Sequence, residues 1–264
     1  MEEPQNPLEM ALAKAATDPA ERPTFYRLLM ESEVFVLGRV EGDSGAGRRT
    51  IGAGEKIALV NWEKKDGTRV IPFFASLDAL RRALKDEQPY LGLSSRSLFE
   101  MTKGSPLVLN PASSHAKEFL PKEVEALLST GMNQVAQTRV VQKATQVLLG
   151  QPANYPSEIV SSLTSLLAKH SAVEAAYLCL MHDPSTQDKP SLVVGFEGGE
   201  GIERAMQEAG SVATDTAPKG VPVDFVRVRP GDEGVSAYLK KSTKPFYERT
   251  WGSKLKSFFG HGRA

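Results

Sequence analysis

Cysteine is almost absent, with Cys179 alone in 264 residues. One thiol cannot close an intramolecular disulfide or supply a thiolate metal cluster, and such sparing use fits a reducing, intracellular setting. An excess of either charge is also lacking, because 32 Lys plus Arg balance 32 Asp plus Glu. No global field steers the chain to nucleic acid or to an anionic membrane, so any such attraction must be local. Long apolar runs are missing too. No stretch approaches the ~18 consecutive apolar residues of a membrane span, and the opening MEEPQNPLEM has neither the basic nor the apolar region of a secretory signal. The expectation is a cytoplasmic protein without a transmembrane segment. Histidines are few: His115, His170, His182 and His261 form no HxH, HExxH or Cys/His spacing, so neither a metal nor another cofactor is expected.

What is present reads as two compact domains, in line with about 150 residues per domain. Asn6-Pro7-Leu8-Glu9 combines a capping side chain, a proline at the first helical position and a glutamate that reaches back, which starts a helix at Pro7. Asp18-Pro19-Ala20-Glu21 repeats the device, and its helix runs to Glu31. Residues 34–40, 56–63 and 69–74 read as three consecutive strands, the last two joined at Asp66-Gly67. Ser76 caps a helix to about Asp86, Ser95 caps a short one ending at Gly104, Leu107 to Leu109 is a strand, and Pro121 opens a helix that stops at Gly131. The boundary falls between 131 and 138.

Beyond it the order is strand (139–149), helix (156–169), strand (174–181), strand (191–197), helix (200–208), strand (223–228) and a final helix (235–247). The predicted class is α+β. An N-terminal mixed α+β domain with a β-meander (1–131) precedes a C-terminal ferredoxin-like domain (138–264) of βαββαβ order plus a terminal helix.

Two glycine clusters invite a phosphate reading. In GRVEGDSGAGRRT (38–50), Gly42 and Gly47 have the glycine spacing of a phosphate loop, but Arg48 and Arg49 stand where Lys and Ser or Thr are needed. The loop also leads into the β-rich KIALVNW rather than into a helix whose amides could cradle phosphate. It reads as a long hairpin connection. Gly198-Gly199-Glu200-Gly201 does sit between a strand and a helix, yet Glu197, Glu200 and Glu203 surround it and repel an anion. It reads as a tight turn.

No GxSxG elbow occurs, and Cys179 alternates with Tyr177 and Met181 as a buried apolar thiol does. His182 and Asp183, at the end of a strand, are the one weak catalytic candidate, although Asp-Pro is ordinary turn chemistry. The C-terminus is more distinctive. KKSTKPFYERTWGSKLKSFFGHGRA holds seven basic residues and one acidic residue. It also holds Phe246, Tyr247, Trp251, Leu255, Phe258 and Phe259, the last four at i, i+4, i+7 and i+8. This stripe either packs on its own protein, meets a protein partner or a second copy, or touches a membrane surface or nucleic acid.

With these stretches placed, the chain resembles the SseB family of bacterial proteins, named for enhanced serine sensitivity. The resemblance rests on Asn6 to Glu9, ATDPAERPTFYRLL (16–29), RVIPFFASL (69–77), QVLLGQPANYP (146–156), AAYLCLMHDP (175–184), VDFVRVRPG (223–231) and PFYERTWG (245–252). It implies one N-terminal and one C-terminal SseB domain, and it carries over no catalytic residue, cofactor or substrate. The expected function is therefore a non-enzymatic binding or regulatory protein acting through protein contacts or self-association. Two alternatives stay open: a small-molecule site, such as one for an amino acid between the domains, and nucleic-acid binding by the basic tail.

Overall fold

The computed structural model describes residues 6–42, 55–133, 147–184 and 189–250. The chain divides into two compact units, Met1–Thr17 with Thr24–Val135, and Asp18–Pro23 with Ala136–Ala264. Residues 18–23 thus fall in the same compact unit as residues 136–264.

In the first unit, helix α1 (Pro7–Thr17) starts where Asn6 Oδ1 accepts the Glu9 amide at 2.9 Å. Leu8, Ala11, Leu12 and Ala15 form its buried stripe. Helix α2 (Arg22–Glu31) follows, then strands β1 (Glu33–Val40), β2 (Ile57–Leu59), β3 (Trp62–Glu63) and β4 (Arg69–Phe74). After these come α3 (Leu77–Ala83), β5 (Tyr90–Ser94), α4 (Ser95–Met101), β6 (Leu107–Leu109), β7 (Lys117–Phe119) and α5 (Pro121–Thr130). The sheet runs β2-β1-β4-β6-β7, with β5 also on β1 and β3 on β4, and β4 and β6 are its parallel pair. Alternation along β1 sends Val34 and Val36 to a core shared with α1, α2, α4 and α5, and Phe35 and Leu37 to the face covered by α3.

The expected meander is not a simple one. The run 56–63 splits at Val60 and Asn61, its first half pairing with β1 and its second with β4. The cap of α4 is Ser94, whose Oγ accepts the Ser97 amide at 3.1 Å, while Ser95 is buried and donates to Ser32 O. Helix α5 closes as expected at Gly131, whose N–H donates to Leu127 O at 2.9 Å.

The second unit comprises a 3-10 turn (Pro19–Glu21) and then β8 (Leu148–Gly150), α6 (Ser157–Leu167), β9 (Val173–His182) and β10 (Ser191–Gly198). It continues with α7 (Ile202–Thr216), β11 (Val223–Val228), α8 (Val235–Ser242) and β12 (Tyr247–Glu248). The α+β class and the chain order βαββαβ hold. The ferredoxin-like arrangement does not, because β10 and β11 are parallel neighbours in a sheet ordered β11-β10-β9-β12, with β8 also on β9. A split βαβ unit would have another strand between them. The β9-β10 hairpin already occupies one edge of β10, so the crossover through α7 returns to the open edge.

Helices α6 and α7 cover one face of this sheet with Ile159, Leu163, Leu166, Leu167, Ile202 and Val212, each side chain contributing about 1.5–3 kcal/mol by burial. Helix α8 covers the other face. It can approach because residue 195 is glycine, where a Cβ would lie 2.5 Å from Leu239 Cδ1. The expected final helix ends at Ser242 rather than Tyr247, since Pro245 removes a donor and forces Lys244 out of helical geometry.

Candidate functional site

One group of polar side chains of the second unit gathers around its last described strand, β12. Strand β12 pairs Tyr247 with Ala176 and Glu248 with Ala175, flanked by Phe246 N–H to Ala176 O (2.9 Å) and Arg249 N–H to Glu174 O (2.8 Å). The Arg249 guanidinium then donates to three carbonyls: Val173 O at 2.9 Å, Leu167 O at 3.2 Å and His170 O at 2.6 Å. Leu167 is the last residue of α6 and His170 lies three residues beyond it, at the helix end whose dipole favours a cation. The side chains of Phe246 and Tyr247 pack on the core under α6 and α7. Trp251, Leu255, Phe258 and Phe259 lie outside the described residues.

Beside this clamp, Glu208 on α7 is held between His170 Nε2 (2.9 Å) and Arg204 Nε (3.0 Å) with 6% of its side chain exposed. Burial alone would raise its pKa, but the hydrogen bonds from His170 and Arg204 outweigh burial and hold the carboxyl below its ordinary value. Glu208 is thus a structural anion.

A second trio spans the opposite face of the sheet. Tyr177 Oη donates to Glu197 Oε2 at 2.9 Å and Lys240 Nζ donates to Glu197 Oε1 at 2.7 Å. Burial and the neighbouring carboxylate push the Tyr177 phenol up to about 12. Glu197 is held below its ordinary value, burial notwithstanding, by Lys240 and Tyr177. On the same face Cys179 is fully buried and burial pushes its thiol up to about 11. A thiol so placed stays protonated near neutral pH and is no nucleophile.

His182 is the last residue of β9, in register with Leu148 of β8, and Asp183 follows it outside the strand. They lie at the other end of β9 from Ala175, Ala176 and the Arg249 clamp. The glycine cluster 198–201 makes the strand-to-helix turn between β10 and α7. A Cβ on residue 198 would stand 2.0 Å from Ala172 O, so only glycine fits. Arg227 covers that turn through Glu203 and Gly199 O. Most of GRVEGDSGAGRRT, residues 43–50, lies outside the described residues, but β1 and β2 on either side pair antiparallel, with Val40 opposite Ile57.

The first unit carries one buried polar cluster at the carboxyl ends of its parallel pair. The Ala75 N–H donates to Asn110 Oδ1 (2.9 Å), and its carbonyl accepts from Asn6 Nδ2 (2.7 Å). Ser76 Oγ donates to Glu9 Oε1 at 2.7 Å. Asn110 adopts φ 50, a left-handed conformation that asparagine enters more readily than most residues, and its side chain accepts from Ala75 across the parallel pair. Sequence reading missed this cluster and the His170–Glu208 pair. Around Glu208 only Arg204, four positions before it on a helix, left any local signal. Among the described residues no three His, Cys, Asp or Glu side chains gather as a metal could require, and no helix is long and apolar enough to cross a membrane.

Comparison with known proteins fits this two-unit architecture. The model of the SseB protein N-terminal domain matches residues 8–126, and that of the SseB protein C-terminal domain matches residues 141–249, ending on the clamp residue Arg249. Protein SseB of Escherichia coli (strain K12) is 39% identical over 258 residues, covering 98% of each chain. Protein SseB of Shigella flexneri matches to the same extent. A crystal structure of the sex pheromone staph-cAM373 precursor covers 88% of this chain and 92% of its own at 9% identity and a TM-score of 0.22, too low to relate the folds.

Proposed function

The chain belongs to the SseB family, and from that premise we propose that it is a non-enzymatic cytoplasmic binding protein whose C-terminal segment contacts another protein or a second copy. The observation that carries this reading is the clamp. Three backbone carbonyls hold Arg249, so the backbone is fixed two positions ahead of Trp251 in the sequence, before Leu255, Phe258 and Phe259. An aromatic stripe rooted in this way loses less freedom on docking than one on a free tail. The inertness of the ionisable groups agrees with a binding role, since Glu208 and Glu197 are structural anions and Cys179 is a protonated, buried thiol.

The test compares the full chain with one ending at Thr250, which keeps Arg249. Light-scattering mass after size exclusion and affinity capture are measured for both, with thermal unfolding as the control. The reading expects equal thermal stability, with loss of self-association or of captured partners in the shortened chain. Equal masses and equal partner sets would refute it.

A further inference from the structure

Residues 18–23 are separated by more than a hundred positions from the other residues of the unit in which they lie. They form one acidic turn. Asp18 Oδ1 accepts the Ala20 amide at 2.9 Å, Glu21 N–H donates to Asp18 O at 3.0 Å, and Pro19 presets the backbone between them. Ala20 is fully buried and belongs to the core cluster formed with α6 and α7.

The receiving surface complements this turn point by point. Helix α7 presents Ala205, Ala209 and Ala213 to the same core at four-residue spacing, which leaves room for a close neighbour. Lys169, just after α6, donates to Ala20 O at 2.8 Å and pairs with Glu21 at 2.9 Å. Asp215, near the end of α7, pairs with Arg22. A negative group of the turn thus meets a cation of the surface, and a positive group of the turn meets an anion. The order of signs fixes the direction in which the turn lies.

We propose that the groove between α6 and α7 is a peptide-docking surface whose occupant is the acidic turn of residues 18–23. Its own turn fills it in cis, and the same segment of a second copy takes its place when the cis turn is prevented from seating. One buried methyl side chain and a few polar contacts attach the turn, whereas α6 and α7 rest on the sheet through large apolar side chains. The turn can therefore leave while the helices stay. The proposal is independent of the C-terminal segment.

The test uses the full chain and a fluorescent peptide of residues 16–24, ATDPAERPT. In the variant Ala20→Arg the cis turn cannot enter its buried position. The peptide is expected to bind this variant at least tenfold more tightly than it binds the wild type, whose own turn competes at high effective concentration. A peptide carrying Arg22→Glu is expected to lose that binding and to regain it on the double variant Ala20→Arg, Asp215→Arg. Equal binding to wild type and Ala20→Arg overturns the proposal, as does binding indifferent to the charge swap. Loss of cooperative unfolding in Ala20→Arg also overturns it, because the turn would then be inseparable from the core. In the wild type, the Ala20 amide is expected to exchange with solvent at least tenfold faster than the amides of α6 and α7, and equal rates count against a displaceable turn.

Discussion

Arg249 Nη2 lies 2.6 Å from the carbonyl oxygen of His170, whose ring stands 2.9 Å from Glu208. A single residue after α6 thereby ties the last described strand to helix α7, through its backbone on one side and its side chain on the other. Neither contact is local in sequence, the partners standing 79 and 38 positions apart.

Removing the guanidinium takes one donor from each of three carbonyls, and leaves Leu167 O and His170 O only the backbone N–H groups of His170 (3.0 Å) and Val173 (3.1 Å). Arg249→Ala is expected to destabilise the second unit by about 2 kcal/mol, within the range for hydrogen bonds to charged groups. Arg249→Lys should recover only part of this, because an ammonium cannot reach three carbonyls as a planar fork does. Urea unfolding followed at β12 by hydrogen exchange measures both, and full recovery by lysine would argue against the fork.

Glu208 has a folded-state pKa below its ordinary value of 4.5. A carboxyl depressed on folding adds stability that is fully present above its unfolded pKa and is lost as pH falls through the folded one. Stability of the wild type should therefore decline from about pH 4.5 downward. In Glu208→Gln that component should flatten, at a loss of about 1–3 kcal/mol near neutrality from the weakened bonds to His170 and Arg204. Thermal unfolding from pH 3 to pH 8, by circular dichroism, distinguishes the two profiles.

The elements that could be read in advance are those whose signals are local. Asn6 to Glu9 announced α1, Pro121 and Gly131 bracketed α5, and Ser76 capped α3. The run 56–63 was misread because its residues look equally strand-like on both sides of Val60, where the chain changes partner. Strands β5 and β7 escaped because a five-residue stretch centred on Gly92 and a three-residue one carry little periodicity. The sheet order of the second unit escaped because chain order does not state which edge of β10 the crossover reaches. The charged trios were illegible for the same reason. Tyr177, Glu197 and Lys240 lie on β9, β10 and α8, and only the packing of α8 over Gly195 brings Lys240 to the pair.

Two glycines of one strand should respond differently to the same methyl group. At residue 195 the Cβ meets side chains, the flexible end of Leu239 (Cδ1 at 2.5 Å) and the stiffer Val228 (Cγ2 at 2.8 Å). Gly195→Ala is expected to destabilise by about 1–3 kcal/mol. Combined with Leu239→Ala, it should destabilise less than the sum of the single changes, since the smaller side chain vacates the contested space. At residue 198 the obstacle is the backbone oxygen of Ala172 at 2.0 Å. Gly198→Ala should therefore cost more than Gly195→Ala. Chemical denaturation of the four variants measures this, and an equal cost at 195 and 198 would contradict the geometry.

Cys179 offers a direct probe of the sheet face under α8. The thiol is fully buried and pushed up to about 11, so at pH 8 it is both inaccessible and protonated. Reaction with a thiol reagent such as DTNB should be negligible in the native chain and should appear only with unfolding, at a rate that rises with denaturant. The variant Leu239→Ala removes a fully buried side chain of the same cluster. It should speed the reaction in proportion to its loss of stability if exposure requires unfolding of the unit. A native rate already close to that of the denatured chain would show that α8 lifts freely from the sheet, in conflict with the close contact that Gly195 permits.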